Sequence, residues 1–215
     1  MSFEQKYLKY KNKYLELKDQ VGGDIEITEK NFKKNYPDYR QIKIISLGNN
    51  NIISISSDII KDLPKLEVIY FNDNKITNIN SKTFVNLEKL KTISLGNNLI
   101  KNIESNAFIN LPSLEEIYLN NNKITNINSN TFVNLEKLIK ITFSNNLIEN
   151  IVSSAFINLP SLEEIYFNNN KITNINSNIF ANLQKLKKVN FANNNIDDLT
   201  KEVLKKKFPN ITFIF

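Results

Sequence analysis

Seven segments of this chain begin 24 residues apart, at Ile42, Leu66, Leu90, Leu114, Leu138, Leu162 and Leu186, and share one apolar pattern. The fourth, LEEIYLNNNKITNINSNTFVNLEK from Leu114 to Lys137, shows the pattern in full. Positions 1, 4, 6, 11, 14, 19 and 22 are apolar, here Leu114, Ile117, Leu119, Ile124, Ile127, Phe132 and Leu135. A fixed period of this size signals a repeat architecture in which each unit touches only its neighbours. The I-x-L stretch at positions 4 to 6 alternates with period two and predicts a short strand. The SNTFVNL stretch predicts a short helix or turn that returns the chain, with Ser129 as its cap. No unit can bury both its faces alone, so stacking is obligatory and the strands align as one parallel sheet.

Two columns of identical residues follow from that stacking. Position 9 is Asn in every copy: Asn50, Asn74, Asn98, Asn122, Asn146, Asn170 and Asn194. The chain turns there, and a carboxamide both donates and accepts, so a stacked asparagine can satisfy the inward-facing backbone groups. Phe84, Phe108, Phe132, Phe156 and Phe180 align at position 19 as a core spine, with Ile60 and Leu204 closing its ends. Both columns read as structure and not as ligand sites.

The pattern L-x-x-I-x-L-x-x-N-x-I-x-x-I-x-x-x-x-F-x-x-L closely resembles the 24-residue leucine-rich repeat, over residues 42–209. That resemblance implies an α/β leucine-rich repeat solenoid, curved, with a parallel β-sheet on its concave face and short helices or turns on its convex face. Two departures stand out. Cysteine-bonded caps, usual in extracellular members, are impossible here, because the chain has no cysteine. The seventh copy also drifts: Lys207 takes the usual leucine position, and Phe208-Pro209-Asn210-Ile211 repeats the Leu-Pro-x-Leu junction one residue late.

The ends differ from the repeats. In residues 1–23, Phe3, Tyr7, Tyr10, Tyr14, Leu17 and Val21 form a heptad-spaced seam among lysines, and Gly22-Gly23 supplies a stop. The segment predicts an amphipathic helix. Three uses fit it: a cap on the solenoid, weak self-association through residues 3–21, or contact with a membrane surface. Within it, KYLKYKNKYLELK resembles an N-terminal stretch of uncharacterised giant DNA virus proteins. Residues 24–41 read as a capping half-repeat, with Phe32 in the place of a bulky core residue and Tyr36-Pro37-Asp38-Tyr39 mirroring Leu63-Pro64-Lys65-Leu66. Residues 210–215 read as a C-terminal edge strand.

Composition removes much chemistry. Without cysteine or histidine, thiol nucleophiles, zinc–thiolate sites, disulfides and the commonest general base are absent. No phosphate-binding glycine motif occurs among Gly22, Gly23, Gly48 and Gly96. The adjacent acids Glu115-Glu116 and Glu163-Glu164 follow from strand repetition, and on an open surface their pKa values stay too low for acid catalysis. Asn210-Ile211-Thr212 fits a glycosylation acceptor, but no secretion signal or membrane-spanning apolar run accompanies it. These features predict a non-enzymatic protein without cofactor or metal, in an intracellular reducing compartment, the host cytoplasm if the source is viral. The abundance of Asn, Ile and Lys, with Arg40 the single arginine, reads first as an AT-rich coding bias.

Function falls to the side chains that strands turn outward. Positions 2, 3, 5, 7 and 8 should face the concave side, and there the period doubles to 48 residues. Position 5 runs Ser46, Tyr70, Ser94, Tyr118, Thr142, Tyr166, Asn190. Position 2 runs Lys43, Glu67, Lys91, Glu115, Ile139, Glu163, Lys187, and position 3 adds Glu116, Lys140, Glu164 and Lys188. Three tyrosines about 10 Å apart, flanked by alternating charge and by Asn120 and Asn168, make a groove suited to a protein partner. A ladder of exposed ion pairs is the plainer reading of the same rows. Charge argues against nucleic acid: residues 42–184 carry 12 lysines and 12 acids, and the excess lies at the ends, chiefly in the lysines from Lys185 to Lys207. A nucleic-acid binder needs a basic track along one face. The sequence thus predicts a protein–protein interaction module. An adaptor that recruits through its N-terminal helix and a structural, virion-associated assembly protein are the alternatives.

Overall fold

The computed structural model describes residues 25–27, 39–61 and 63–215. The expected N-terminal helix, Phe32 and residues 36–38 lie outside the described residues. Of the half-repeat, Ile25–Ile27 pairs in parallel with Ile52–Ile55, and Tyr39–Gln41 forms a short 3-10 turn.

One eight-stranded parallel sheet runs the length of the solenoid. Its strands, in chain and spatial order, are Ile44–Ser46 (β1), Val68–Tyr70 (β2), Thr92–Ser94 (β3), Glu116–Tyr118 (β4), Lys140–Thr142 (β5), Glu164–Tyr166 (β6), Lys188–Asn190 (β7) and Thr212–Ile214 (β8). Each strand occupies positions 3 to 5 of its repeat, one residue earlier than the sequence pattern suggests. The ladder nevertheless continues into position 6, where Leu47 N–H donates to Tyr70 O and Leu95 N–H to Tyr118 O, both at 2.8 Å. Register is strict: Ile45, Ile69, Ile93, Ile117, Ile141, Ile165 and Val189 stand opposite one another at position 4. All seven are buried.

Two aromatic columns fill the interior. The position 19 rings stack with centroids 5.6 Å apart for Phe84–Phe108, 5.2 Å for Phe108–Phe132 and 5.8 Å for Phe132–Phe156. A second column at position 6 stacks Phe143 on Phe167 at 5.4 Å and Phe167 on Phe191 at 5.3 Å. Phe215 continues it beyond Phe191 at 6.1 Å. Ile60 and Leu204 are fully buried at the two ends of the first column.

The asparagine at position 9 ties each turn to the one before it. Asn122 Nδ2 donates to Leu95 O at 3.0 Å and to Leu119 O at 3.1 Å, while its Oδ1 accepts from Ile100 N at 3.0 Å. The same bridge recurs at Asn74, Asn98, Asn146, Asn170 and Asn194. Asparagine has a second role that composition alone concealed. At position 8, Asn49, Asp73, Asn97, Asn121, Asn145, Asn169 and Asn193 all have φ between 55° and 63°. Asn and Asp tolerate this left-handed conformation better than other residues with a Cβ. Coding bias is therefore not a sufficient account of the asparagine content.

The convex side corrects one expectation. Ser129 caps no helix; its carbonyl accepts from Ser105 Oγ at 2.9 Å. In the fourth repeat the return segment is a turn followed by a two-residue strand, Phe132–Val133, which pairs with Phe156–Ile157. Asn130 and Asn134 have φ of 58° and 57°, and left-handed residues interrupt a right-handed helix. A 3-10 turn, Ser177–Phe180, replaces this segment in the sixth repeat, capped by the Asn176 side chain.

The seventh repeat becomes a true helix, Asp198–Lys207, with Asp197 accepting from Thr200 N at 2.8 Å and lysines in its last turn. Both ends suit the helix dipole. The helix carries Leu199, a position 14 residue expected in the core, out to 72% exposure. It also turns Lys207 toward the sixth repeat, where Nζ donates to Ser177 Oγ at 2.8 Å and Asn178 Oδ1 at 3.0 Å. Among the described residues, no helix is long and apolar enough to cross a membrane.

Urea unfolding of three variants separates the two asparagine roles. Asn122→Ala should cost about 1–3 kcal/mol, because it strands buried backbone groups. Asn121→Ala should cost about 1–2 kcal/mol from left-handed strain, while Asn121→Gly stays near wild type.

Candidate protein-binding surface

Positions 3 and 5 of β1, β2, β3, β4, β6 and β7 are half-exposed on the concave side, on either side of the buried position 4, whereas in β5 position 5, Thr142, is buried as well. Strand register therefore turns each sequence column into a spatial row. Ser46, Tyr70, Ser94, Tyr118, Thr142, Tyr166 and Asn190 stand opposite one another in succession, followed by Ile214 of β8. In the adjacent row, Thr92, Glu116, Lys140, Glu164 and Lys188 are likewise consecutive neighbours.

The position 2 charges form a ladder in its first half. Glu67 bridges Lys43 and Lys91, each at 3.0 Å. Lys91, followed by Lys43, holds the Glu67 carboxyl below the usual carboxylate range, and Glu67 in turn raises the Lys91 ammonium. Near the other end, Glu163 pairs with Lys187 at 2.9 Å. Between these, Ile139 occupies position 2 and is 42% exposed.

At position 3 the lysines do something the alternating pattern did not foretell. Lys140 Nζ lies between two rings, 5.7 Å from the centroid of Tyr118 and 5.2 Å from that of Tyr166. Lys188 Nζ approaches Tyr166 at 5.1 Å from the next strand. Cations this close to an aromatic face are attracted by the ring's quadrupole. The glutamates engage the phenols: Tyr166 OH donates to Glu164 Oε2 at 2.9 Å. Burial, followed by the hydrogen-bonded Glu116 carboxylate, pushes the Tyr118 phenol up to about 12. On the same strand as Lys140, opposite Tyr118 and Tyr166, the Thr142 hydroxyl is buried and has no hydrogen-bond partner among the described residues.

Asn120 and Asn168 also belong to an alternation, now of large on small. The Asn120 side chain leans over Gly96, where an added Cβ would meet its Nδ2 at 3.0 Å. Asn168 Oδ1 accepts from Ser144 Oγ at 2.6 Å. Of the residues singled out in the sequence, Tyr70, Glu116, Tyr118, Lys140, Glu164 and Tyr166 lie within the strands of this sheet, Glu67, Lys91, Glu115 and Glu163 immediately precede strand positions, and Asn120 and Asn168 follow them.

Profiles described as leucine rich repeat match residues 40–100, 72–124 and 112–172, and a two-copy leucine rich repeat profile matches residues 160–206. The chain belongs to the leucine-rich repeat family. Among solved structures, this leucine-rich repeat chain is similar to the LRR protein LIC12759 of Leptospira interrogans. That similarity is 21% identity at a TM-score of 0.61, over 85% of this chain and 51% of that one. It is also similar to a chain of the TLR13–ssRNA13 complex, at 25% identity and a TM-score of 0.61, over 68% of this chain and 21% of that one. This chain therefore spans about half the length of the first and about a fifth of the second. No curated protein matches the sequence.

Within this leucine-rich repeat sheet, Tyr118 gives a spectroscopic handle. A phenol whose folded pKa lies above its ordinary value of 10 lends stability that is complete below that pH and lost as pH rises through about 12. Phenolate absorbance should show a late-titrating tyrosine that Tyr118→Phe removes. The same substitution should flatten the loss of stability between these two pH values.

Proposed function

We propose that this leucine-rich repeat solenoid is a non-enzymatic protein-interaction module whose contact surface is the concave sheet. The observation that carries the reading is the row of half-exposed tyrosines on alternate strands of a registered sheet. Strand hydrogen bonds and the asparagine bridges hold Tyr70, Tyr118 and Tyr166 in fixed spacing before any partner arrives. Tyrosine offers a large contact area and a hydroxyl at little entropic cost, which makes it a favoured anchor at interfaces. The flanking glutamates and lysines supply a polar rim of mixed sign, suited to selecting a partner by charge.

The ssRNA in the TLR13 complex is a property of that assembly. For this chain, charge balance along residues 42–184 and the glutamates of the concave rows weigh against a nucleic-acid partner. The excess lysine lies instead at the C-terminal end, where Lys201 pairs with Asp198 at 2.9 Å and Lys207 is held by the sixth repeat.

Quantitative affinity capture with wild type beside a Tyr70→Ala, Tyr118→Ala, Tyr166→Ala triple variant tests the reading. The variant should keep its circular dichroism and lose a specific protein partner by more than about 30-fold, the effect of one interfacial hot spot. Equal recovery by both proteins would remove the concave face from consideration.

A further inference from the structure

The 48-residue doubling builds two equivalent slots on the concave sheet, and the chain fills one of them itself. The second slot has Tyr118 and Tyr166 as walls, on β4 and β6, and Thr142 of β5 as its floor. Lys140, also on β5, places its ammonium between the walls at 5.7 and 5.2 Å from the ring centroids. The first slot repeats the design one superperiod earlier. Its walls are Tyr70 and Tyr118, on β2 and β4, and its floor is Ser94 of β3. Tyr118 is shared by both slots, standing opposite Ser94 on one side and Thr142 on the other.

The slots differ at three strand positions: Val68 stands where the second has Glu116, Ser94 where it has Thr142, and Thr92 where it has Lys140. Thr92 is an uncharged side chain too short to reach the rings. Exposure of the floors differs too: Thr142 is only 9% exposed, whereas Ser94 is half-exposed. Charge differs less. The concave positions of the second, third and fourth repeats carry Glu67, Asp73, Glu115 and Glu116 against Lys91. Those of the fourth, fifth and sixth carry Glu115, Glu116, Glu163 and Glu164 against Lys140. In the first set the single lysine stands at position 2 and is bound to Glu67 at 3.0 Å.

We infer that the Tyr70–Tyr118 slot receives a lysine side chain from the protein partner, its ammonium taking the place that Lys140 holds in the neighbouring slot. Two phenol faces would attract the cation, Glu115 and Glu116 stand on the adjoining strand to neutralise it, and Ser94 offers a hydroxyl at the floor. The inference deepens the concave-face reading and rests on it.

The probe is a blocked Gly-Gly-Lys-Gly-Gly peptide, titrated into the full chain carrying 13C-labelled tyrosine, beside the same peptide with acetylated lysine. The lysine peptide should give saturable shifts at the Tyr70 and Tyr118 rings, and the acetylated one should bind about tenfold more weakly or not at all. Thr92→Lys should abolish binding by supplying the chain's own cation. Lys140→Thr should create a second saturable site at Tyr118 and Tyr166. No saturable shift, equal binding of the acetylated peptide, unchanged binding to Thr92→Lys, or no second site in Lys140→Thr would each overturn the inference. Failure here is separable from failure of the broader reading. A partner lost by the triple tyrosine variant but kept by Thr92→Lys sinks only the lysine slot, whereas a partner kept by both sinks the concave face.

Discussion

A carboxamide that faces two ways governs the rest of this molecule. The position 9 asparagine donates to carbonyls of its own and the preceding turn and accepts an amide from the preceding one, as Asn146 does with Phe143, Leu119 and Ile124. A turn after each strand would otherwise leave inward-facing backbone groups unsatisfied, and such groups are expensive to bury. Because the bridge runs between turns, it fixes the stagger of one repeat on the next. Every other column inherits that stagger: the stacked phenylalanines, the strand register and the rows on the concave face.

Rows in register turn a sequence alternation into a physical one. Tyrosine beside serine or threonine at position 5 gives each bulky ring a small neighbour on either side, and Asn over Gly96 or Ser144 at position 7 repeats the device. Rings on every strand would stack on one another, as the position 6 phenylalanines do inside the solenoid at 5.4 and 5.3 Å, and leave no space between them. The doubled period instead spaces the rings about 10 Å apart with room between them. A face built this way offers slots and not a smooth wall, which is why a single register position, Thr92 or Lys140, changes what the face presents.

Much of the fold was legible in the chain because its signals are local and repeated. Period, apolar positions, the buried isoleucines of each strand, the phenylalanine spine and the position 9 ladder could all be read from spacing. The convex side was less legible. SNTFVNL reads as a short helix or a turn, and left-handed asparagines at Asn130 and Asn134 decide for the turn; a backbone sign is not written in composition. Leu199 fits the core pattern, but the helix that begins at Asp198 carries it outward. The seventh repeat lacks the interrupting asparagines, having Glu202 and Lys206 in their places, so the helix there can run on.

The candidate surface divides in the same way. The sequence by itself determined which residues share a face, since strand periodicity and a constant repeat length leave no other arrangement. It also set the ion bridge at Glu67, whose lysines stand one repeat away on either side. What only the tertiary structure decided was how the longer side chains are spent. Lys140 and Lys188 could have joined the glutamates beside them on the sheet, and instead approach tyrosine rings. That choice depends on competing distances from a flexible four-carbon stem to partners on both adjoining strands, and spacing along a chain carries no such information.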